Sequence, residues 1–338
     1  DIALGRWPEI SLMQARQEAR RRRKTLGLEP PRGYVLNDAF KLWCGLKKGR
    51  IVSYADERRR LERYLIKPLG RRQIDEISAP LVITTVKHIE AEGHQATLKR
   101  VLMRTHEILD LAVCAGYIHH NPCERLSRVF AAPVVTPMPA PEWHELPNIM
   151  QVMKSAPVRM RILFLFSTCS MLRPGENAKL KRSWIDGDIL TIPAKEMKMG
   201  RMHRVPLTVF MKQLLEAELR LSPHPRGDVI FAAKQAGKHI STQTLAKYLH
   251  STQLSGKLVA HGLRSMARSW MADQEISFEV AEACLSHVAG SSVSRAYQRS
   301  DFLTARVLVM TRWSTFIKRC AREADMLDGI LEPERDKI

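Results

Sequence analysis

Residues 129–141, VFAAPVVTPMPAP, carry four prolines and no charge. A prolyl ring locks φ and removes the backbone donor, so neither a helix interior nor a central strand crosses such a stretch. Proline-rich chain is extended and semi-rigid, and the segment reads as a linker between separate cores. At 338 residues and 45% apolar composition, the chain can build two or three of them.

Ahead of the linker the pattern is helical. Ser11 can cap a helix through Leu12, Ala15 and Ala19, which also carries Arg16 and the run Arg20-Arg21-Arg22-Arg23-Lys24. Glu29-Pro30-Pro31-Arg32-Gly33 then breaks the chain. From Val35 to about Arg128 the spacing predicts four or so amphipathic helices. Phe40, Trp43 and Cys44 lie at i, i+3, i+4 on the first; Ser53 begins a second, which carries Arg58, Arg59, Arg60 and Arg63 and ends at Pro68. Ser78 and Pro80 open a third, and the fourth runs from about Gln95 to a stop at Gly116. A small helical bundle with basic outer faces is expected.

After the linker, helices are predicted at about 142–154 and 158–170. A strand-like pair follows, 188–193 and 203–207, joined by a turn rich in Lys and Gly. Helices then dominate to Cys320, and the charged stretch 321–338 is expected to fray. The fold class is therefore mainly α, with a small β-hairpin or sheet in the second domain.

Lys and Arg number 54 against 35 Asp and Glu, a net charge of +19. Such an excess suits a polyanionic partner, a nucleic acid or an anionic membrane surface. No apolar run is long enough for a spanning helix, and the start, Asp1-Ile2-Ala3-Leu4-Gly5-Arg6, is not a signal sequence. It lacks an initiator Met, so a fragment or a processed chain is expected. Cys44, Cys114, Cys123, Cys169, Cys284 and Cys320 are scattered, as buried free thiols in a reducing cytoplasm would be. Cys114, His119, His120 and Cys123 lack a paired C-x-x-C, and they read as a helix end stopped by Asn121-Pro122 rather than as a zinc site.

Four segments of the second half stand out: Met171-Leu172-Arg173-Pro174-Gly175-Glu176; the turn Lys195-Glu196-Met197-Lys198-Met199-Gly200-Arg201; His261-Gly262-Leu263-Arg264; and Leu285-Ser286-His287 followed by Ala296-Tyr297-Gln298-Arg299. Each alone is weak. Arg173 and Glu176 could be an ordinary surface pair, His287 a helix-end histidine and Tyr297 a core residue. In their order, however, they resemble the tyrosine recombinases, the family of phage integrases and their relatives. That family sets an R-x-x-E arginine, a hairpin lysine, an H-x-x-R box, an L-x-H and a tyrosine about ten residues later.

The resemblance implies Tyr297 as nucleophile, with Arg173, Lys198, His261, Arg264 and His287 around the phosphate it attacks and Glu176 in support. The chemistry explains the residue types. Attack on a phosphodiester builds negative charge at phosphorus, which guanidinium groups match with two parallel hydrogen bonds. His261 and His287 can donate to the same phosphate or move protons near neutral pH. Lys198 suits protonation of the departing 5′-oxygen, with Lys195 as its rival in the same loop. Asn177 departs from the family, which has an apolar residue there, and this puts local packing in question.

By the same resemblance, residues 1–32 are the remnant of an arm-type DNA-binding domain, as in integrases of genomic islands and satellite phages; Leu4-Gly5-Arg6-Trp7-Pro8 carries that likeness. Residues 33–128 are a helical core-binding domain, 142–320 the catalytic domain and 321–338 a C-terminal tail. The function implied is integration or excision of a mobile element through a 3′-phosphotyrosine. The partners implied are double-stranded DNA attachment sites, a homotetramer on DNA and accessory DNA-bending or excisionase proteins. A cytoplasmic, nucleoid-associated location is expected, with no membrane partner. No cofactor or metal is expected, since bond energy is conserved in the phosphotyrosine and no Gly-Lys-Ser/Thr motif or carboxylate cluster is evident. Two alternatives stay open: type IB topoisomerase-like activity and a catalytically silent DNA-binding regulator.

Overall fold

The computed structural model describes residues 10–11, 13–15, 17–18, 21, 33–131, 138–287 and 300–331. The chain divides into two compact units, residues 1–136 and 137–338.

In the first unit, Ser11 caps a helical turn as expected: its N–H donates to Gln14 Oε1 at 2.9 Å, while the Gln14 amide donates to Ser11 Oγ at 3.3 Å. The bundle comprises α1 (Leu36–Lys47), α2 (Tyr54–Leu61), α3 (Ala79–Ala91) and α4 (Gln95–Cys114). Their apolar stripes meet in one core containing Leu36, Phe40, Trp43, Leu61, Val86, Leu98 and Ile108. Trp43 is fully buried because its indole N–H finds an acceptor, Glu107 Oε2, at 3.0 Å. That carboxylate is in turn held by Arg104 at 2.5 Å and Lys47 at 3.1 Å.

Two chain stops follow from local chemistry. After α4, Gly116 takes φ +73° and Tyr117 N–H returns to Ala112 O at 2.8 Å, satisfying an orphan carbonyl. Asn121 then pins the exit, donating to Asp110 Oδ1 at 2.7 Å and accepting from Cys123 N–H at 2.8 Å. The second helix ends at Leu69, one residue past the expected stop at Pro68. The helix passes through a π turn (Glu62–Ile66) and continues over Lys67–Leu69. Widening the ladder there lets Lys67 N–H reach Glu62 O, which accommodates a proline that has no donor of its own.

In the second unit, α5 (Leu146–Met153), α6 (Val158–Ser170) and α7 (Pro174–Ala178) precede a three-stranded antiparallel sheet of order β1 (Ile185–Asp186), β2 (Ile189–Ile192), β3 (His203–Pro206). Then come α8 (Val209–Leu221), α9 (Thr244–His250), α10 (Gly262–Asp273), α11 (Phe278–Cys284) and α12 (Leu303–Glu323). From Arg161 to Ser170, α6 is buried on all sides, and α8, α9, α10 and α12 pack around it. The hairpin register pairs Leu190 with Val205 and Ile192 with His203, which places these four on the core face. The short strand β1 has no signal in the sequence, since two residues show no period.

Two expectations fail here. The stretch 321–331 does not fray: Ala324, Met326 and Ile330 are buried. Arg161 donates to Met326 O at 2.7 Å and Asp328 O at 2.9 Å, and Arg220 donates to Ile330 O at 3.0 Å. These arginines satisfy the carbonyls beyond α12, so the charged composition of the segment conceals an anchored strap. The cysteines also divide: Cys123, Cys169, Cys284 and Cys320 are buried, but Cys44 is partly exposed and Cys114 exposed on the last turn of α4. On α12, Val309 and Met310 pack inward and Phe302 meets the core edge, whereas Val307 and Leu308 face outward. Among the described residues no helix is long and apolar enough to cross a membrane.

Candidate active site

Arg173 stands at the N-cap of α7 with extended backbone, and Pro174 occupies the first helical position, where its missing N–H is no loss. Glu176, three residues on, closes a capping box by accepting the Arg173 N–H at 2.9 Å. Its other oxygen accepts from Arg173 Nη1 at 2.9 Å. The R-x-x-E spacing is therefore a helix cap and an ion pair at once. It is no surface pair, since Glu176 is buried. Asn177, whose polarity puts packing in question, is also buried, but satisfied: it donates to Ser167 Oγ at 3.1 Å and accepts from Ser170 Oγ at 3.2 Å.

Arg264 is the hub. It lies on the first turn of α10, only 3% exposed. Its Nη1 donates to Met171 O, and its Nη2 donates to Leu285 O at 2.5 Å and to His287 Nε2 at 3.0 Å. Met171 (φ 55°) and Ser286 (φ 52°) both sit in the left-handed region, unusual for non-glycine residues. One guanidinium thus ties together the two strained turns that present Arg173 and His287. Arg173 completes the link by donating from Nη2 to Ser286 O at 3.4 Å. Burial first, and then the charge of Arg173, push the Arg264 pKa down to about 10, still charged at neutral pH.

His261 caps the same helix. The glycine after it is required by space: a Cβ at Gly262 would come within 2.6 Å of Pro139 O. Burial lowers the His261 pKa, and the neighbouring Arg264, Arg173, His287 and Lys198 lower it further. The charge of Lys198, on the exposed turn between β2 and β3, therefore reaches this imidazole, whereas Lys195 sits in the 3-10 turn Ala194–Glu196 next to β2. Tyr297 lies outside the described residues.

Two neighbours were not found from sequence. Glu282 accepts from His287 Nδ1 at 2.8 Å and from Arg268 Nε at 2.9 Å. It sits five residues before His287 across a helix end, a spacing with no simple signature. His203 on β3 is buried, and its Nε2 has no hydrogen-bond partner among the described residues. Burial, then Arg306, Arg264 and Arg173, push its pKa down to about 3, so it is neutral. The result is a cluster of guanidinium and imidazole groups, drawn from the starts of α7 and α10 and the end of α11. Such a concentration of cations is an anion site, and it can neutralise charge developing on a phosphoryl oxygen.

The phage integrase family pattern matches residues 142–303, and the phage integrase central domain pattern matches residues 38–129. Prophage integrase IntA of Escherichia coli (strain K12) is 33% identical over 283 residues, 82% of this chain and 68% of that one. The chain belongs to the phage integrase family. The integrase of Enterobacteria phage P4 is 24% identical to this phage integrase over 357 residues, covering 94% of it and 80% of its relative. A lambda integrase tetramer bound to a Holliday junction shares the fold, with a TM-score of 0.64 at 18% identity over 89% of each chain. This phage integrase is accordingly a site-specific tyrosine recombinase, mainly helical with a small antiparallel sheet.

Proposed function

We propose that this recombinase cleaves one DNA strand at a time by attack of the Tyr297 hydroxyl on a phosphodiester held by Arg173 and Arg264. The attack forms a bond from the tyrosine oxygen to phosphorus and breaks the bond to the 5′-oxygen, leaving a 3′-phosphotyrosine. Lys198 supplies the proton that the departing 5′-oxygen needs, and the tyrosine proton passes to a base such as an imidazole of the site. A 5′-hydroxyl from a partner duplex then attacks the phosphotyrosine and releases Tyr297, so the net number of phosphodiesters is unchanged. The observation that carries this reading is the gathering of Arg173, Arg264 and His287 at three helix termini, the starts of α7 and α10 and the end of α11, with Arg264 bonded to His287 and Arg173 to the adjacent Ser286 O.

The DNA is held as an attachment-site duplex. Residues 33–128 form the core-binding domain, 142–320 the catalytic domain, 1–32 part of an arm-type module and 321–338 a C-terminal segment. The working form is a homotetramer on two duplexes that integrates or excises a mobile element on the nucleoid, with DNA-bending or excisionase partners setting direction. The DNA-bound lambda tetramer of similar fold supports the multimer. Incubation with a nicked suicide duplex carrying the native site tests the chemistry: wild type should form a covalent adduct, and Tyr297→Phe none. An adduct that survives Tyr297→Phe would assign the nucleophile elsewhere.

A further inference from the structure

We propose that Glu282 is a positioning residue for catalysis: its carboxylate fixes which nitrogen of His287 faces the phosphate, and its charge lets that nitrogen carry a proton once a phosphate is bound. The inference rests on the active site proposed above and deepens it.

The geometry begins with a donor that cannot accept. Arginine has only N–H groups, so the 3.0 Å contact of Arg264 Nη2 with His287 Nε2 makes Nε2 the acceptor. The ring proton is then on Nδ1, where Glu282 Oε2 lies 2.8 Å away to receive it. Glu282 does not turn freely to meet other partners. Its Oε1 accepts from Arg268 Nε at 2.9 Å, and the side chain is 15% exposed. The His287 backbone N–H also returns to Glu282 O at 2.9 Å, so ring and main chain are registered to the same residue. Although burial works to raise the Glu282 pKa, the hydrogen bonds from Arg268 and His287 outweigh it and leave the group ionised well into acid.

In the DNA-free protein, Arg264 occupies Nε2. A phosphate oxygen in the site is a better partner for that guanidinium than a neutral imidazole. Once Arg264 turns to the phosphate, Nε2 is released toward the same anion. The groups then facing His287 are Arg264 from α10, His261 at the start of that helix, Arg173 through Ser286 O, and Glu282 from α11. Among the described residues, three of these are cationic or can become so, and only Glu282 favours a protonated ring. With Glu282 ionised, Nε2 can take a proton from solvent and donate it as a hydrogen bond to the non-bridging oxygen. Without that negative charge, the surrounding arginines oppose the imidazolium.

Glu282→Gln keeps the shape and an acceptor oxygen but removes the charge; Glu282→Asp keeps the charge at shorter reach. Adduct formation on the suicide duplex is measured against pH at saturating DNA. For Glu282→Gln the alkaline fall in rate should move about one pH unit toward acid, with a rate about tenfold lower above that midpoint. Glu282→Asp should fall between Gln and wild type, and DNA affinity should not change. A purely structural defect would depress the rate equally at every pH. Independently of activity, nitrogen-15 spectra of labelled histidine in Tyr297→Phe bound to the duplex, where Arg264 no longer holds Nε2, with His287 assigned by its loss in His287→Ala, should show a protonated Nδ1 that loses its proton when Glu282→Ala is added. An unmoved pH profile in Glu282→Gln, or an Nδ1 proton that stays when Glu282→Ala is added, overturns the role of Glu282. If wild type forms no adduct, the strand-transfer reading fails while the spectra still decide the Glu282 pairing.

Discussion

In the proposed reaction Arg264 and Arg173 carry the same charge toward the same phosphate, yet the structure gives them different second duties, and lysine substitution separates the two. Arg264 bridges Met171 O and Leu285 O, carbonyls on two different turns, from a site 3% exposed. A lysine ammonium is a single point and reaches one of them. Hydrogen bonds from a charged donor contribute roughly 1.5–3 kcal/mol each, so Arg264→Lys should lose about 2–3 kcal/mol of stability in the second unit. For a unit of about 200 residues this lowers Tm by roughly 4–12 °C. Arg173 is tied to Glu176 at 2.9 Å, and to a backbone carbonyl only at 3.4 Å; its side chain is 19% exposed. Lysine there keeps the ion pair, and the loss should stay under about 1 kcal/mol. Both variants forfeit bidentate recognition of the phosphate, and adduct formation should fall about 10²–10³-fold in each. Calorimetry and the suicide-duplex assay, run in parallel, check this. Equal destabilisation by both substitutions, or a wild-type Tm for Arg264→Lys, would refute the assignment of Arg264 as the tie between the two turns.

Two further outcomes are expected. Lys198→Ala should cut cleavage of an ordinary duplex, whereas a duplex with sulfur replacing the scissile 5′-oxygen should be cleaved at near wild-type rate, because a thiolate leaves without protonation; Lys195→Ala should cleave both alike. His203, held at a pKa of about 3 in the fold against 6.5 when exposed, takes up its proton only on unfolding between those values, so its contribution is complete above pH 6.5 and is lost as pH falls toward 3. Denaturant titrations at pH 7 and pH 5 should show about 2 kcal/mol more loss in wild type than in His203→Gln, which does not titrate.

Much of this protein is decided along the chain itself. The prolines of 129–141, the helical stripes around Trp43 and Leu98, and the Lys/Gly turn between two strands are local signals, and local signals set helices, hairpins and breaks. The order of Arg173, Lys198, His261, Arg264, His287 and Tyr297 carries the family likeness in the sequence itself, because residue types at given separations are a one-dimensional property. What folding alone decided concerns partners far apart in sequence. A sequence separation of 93 between Met171 and Arg264 hides the bond that joins them, and nothing in a charged stretch such as 321–331 reveals that Arg161 and Arg220 wait for its carbonyls. Likewise a glutamate five residues before a histidine, or a histidine within a strand, carries no pattern of its own. Their roles arise only where burial removes water and leaves each polar atom to find its partner in the protein.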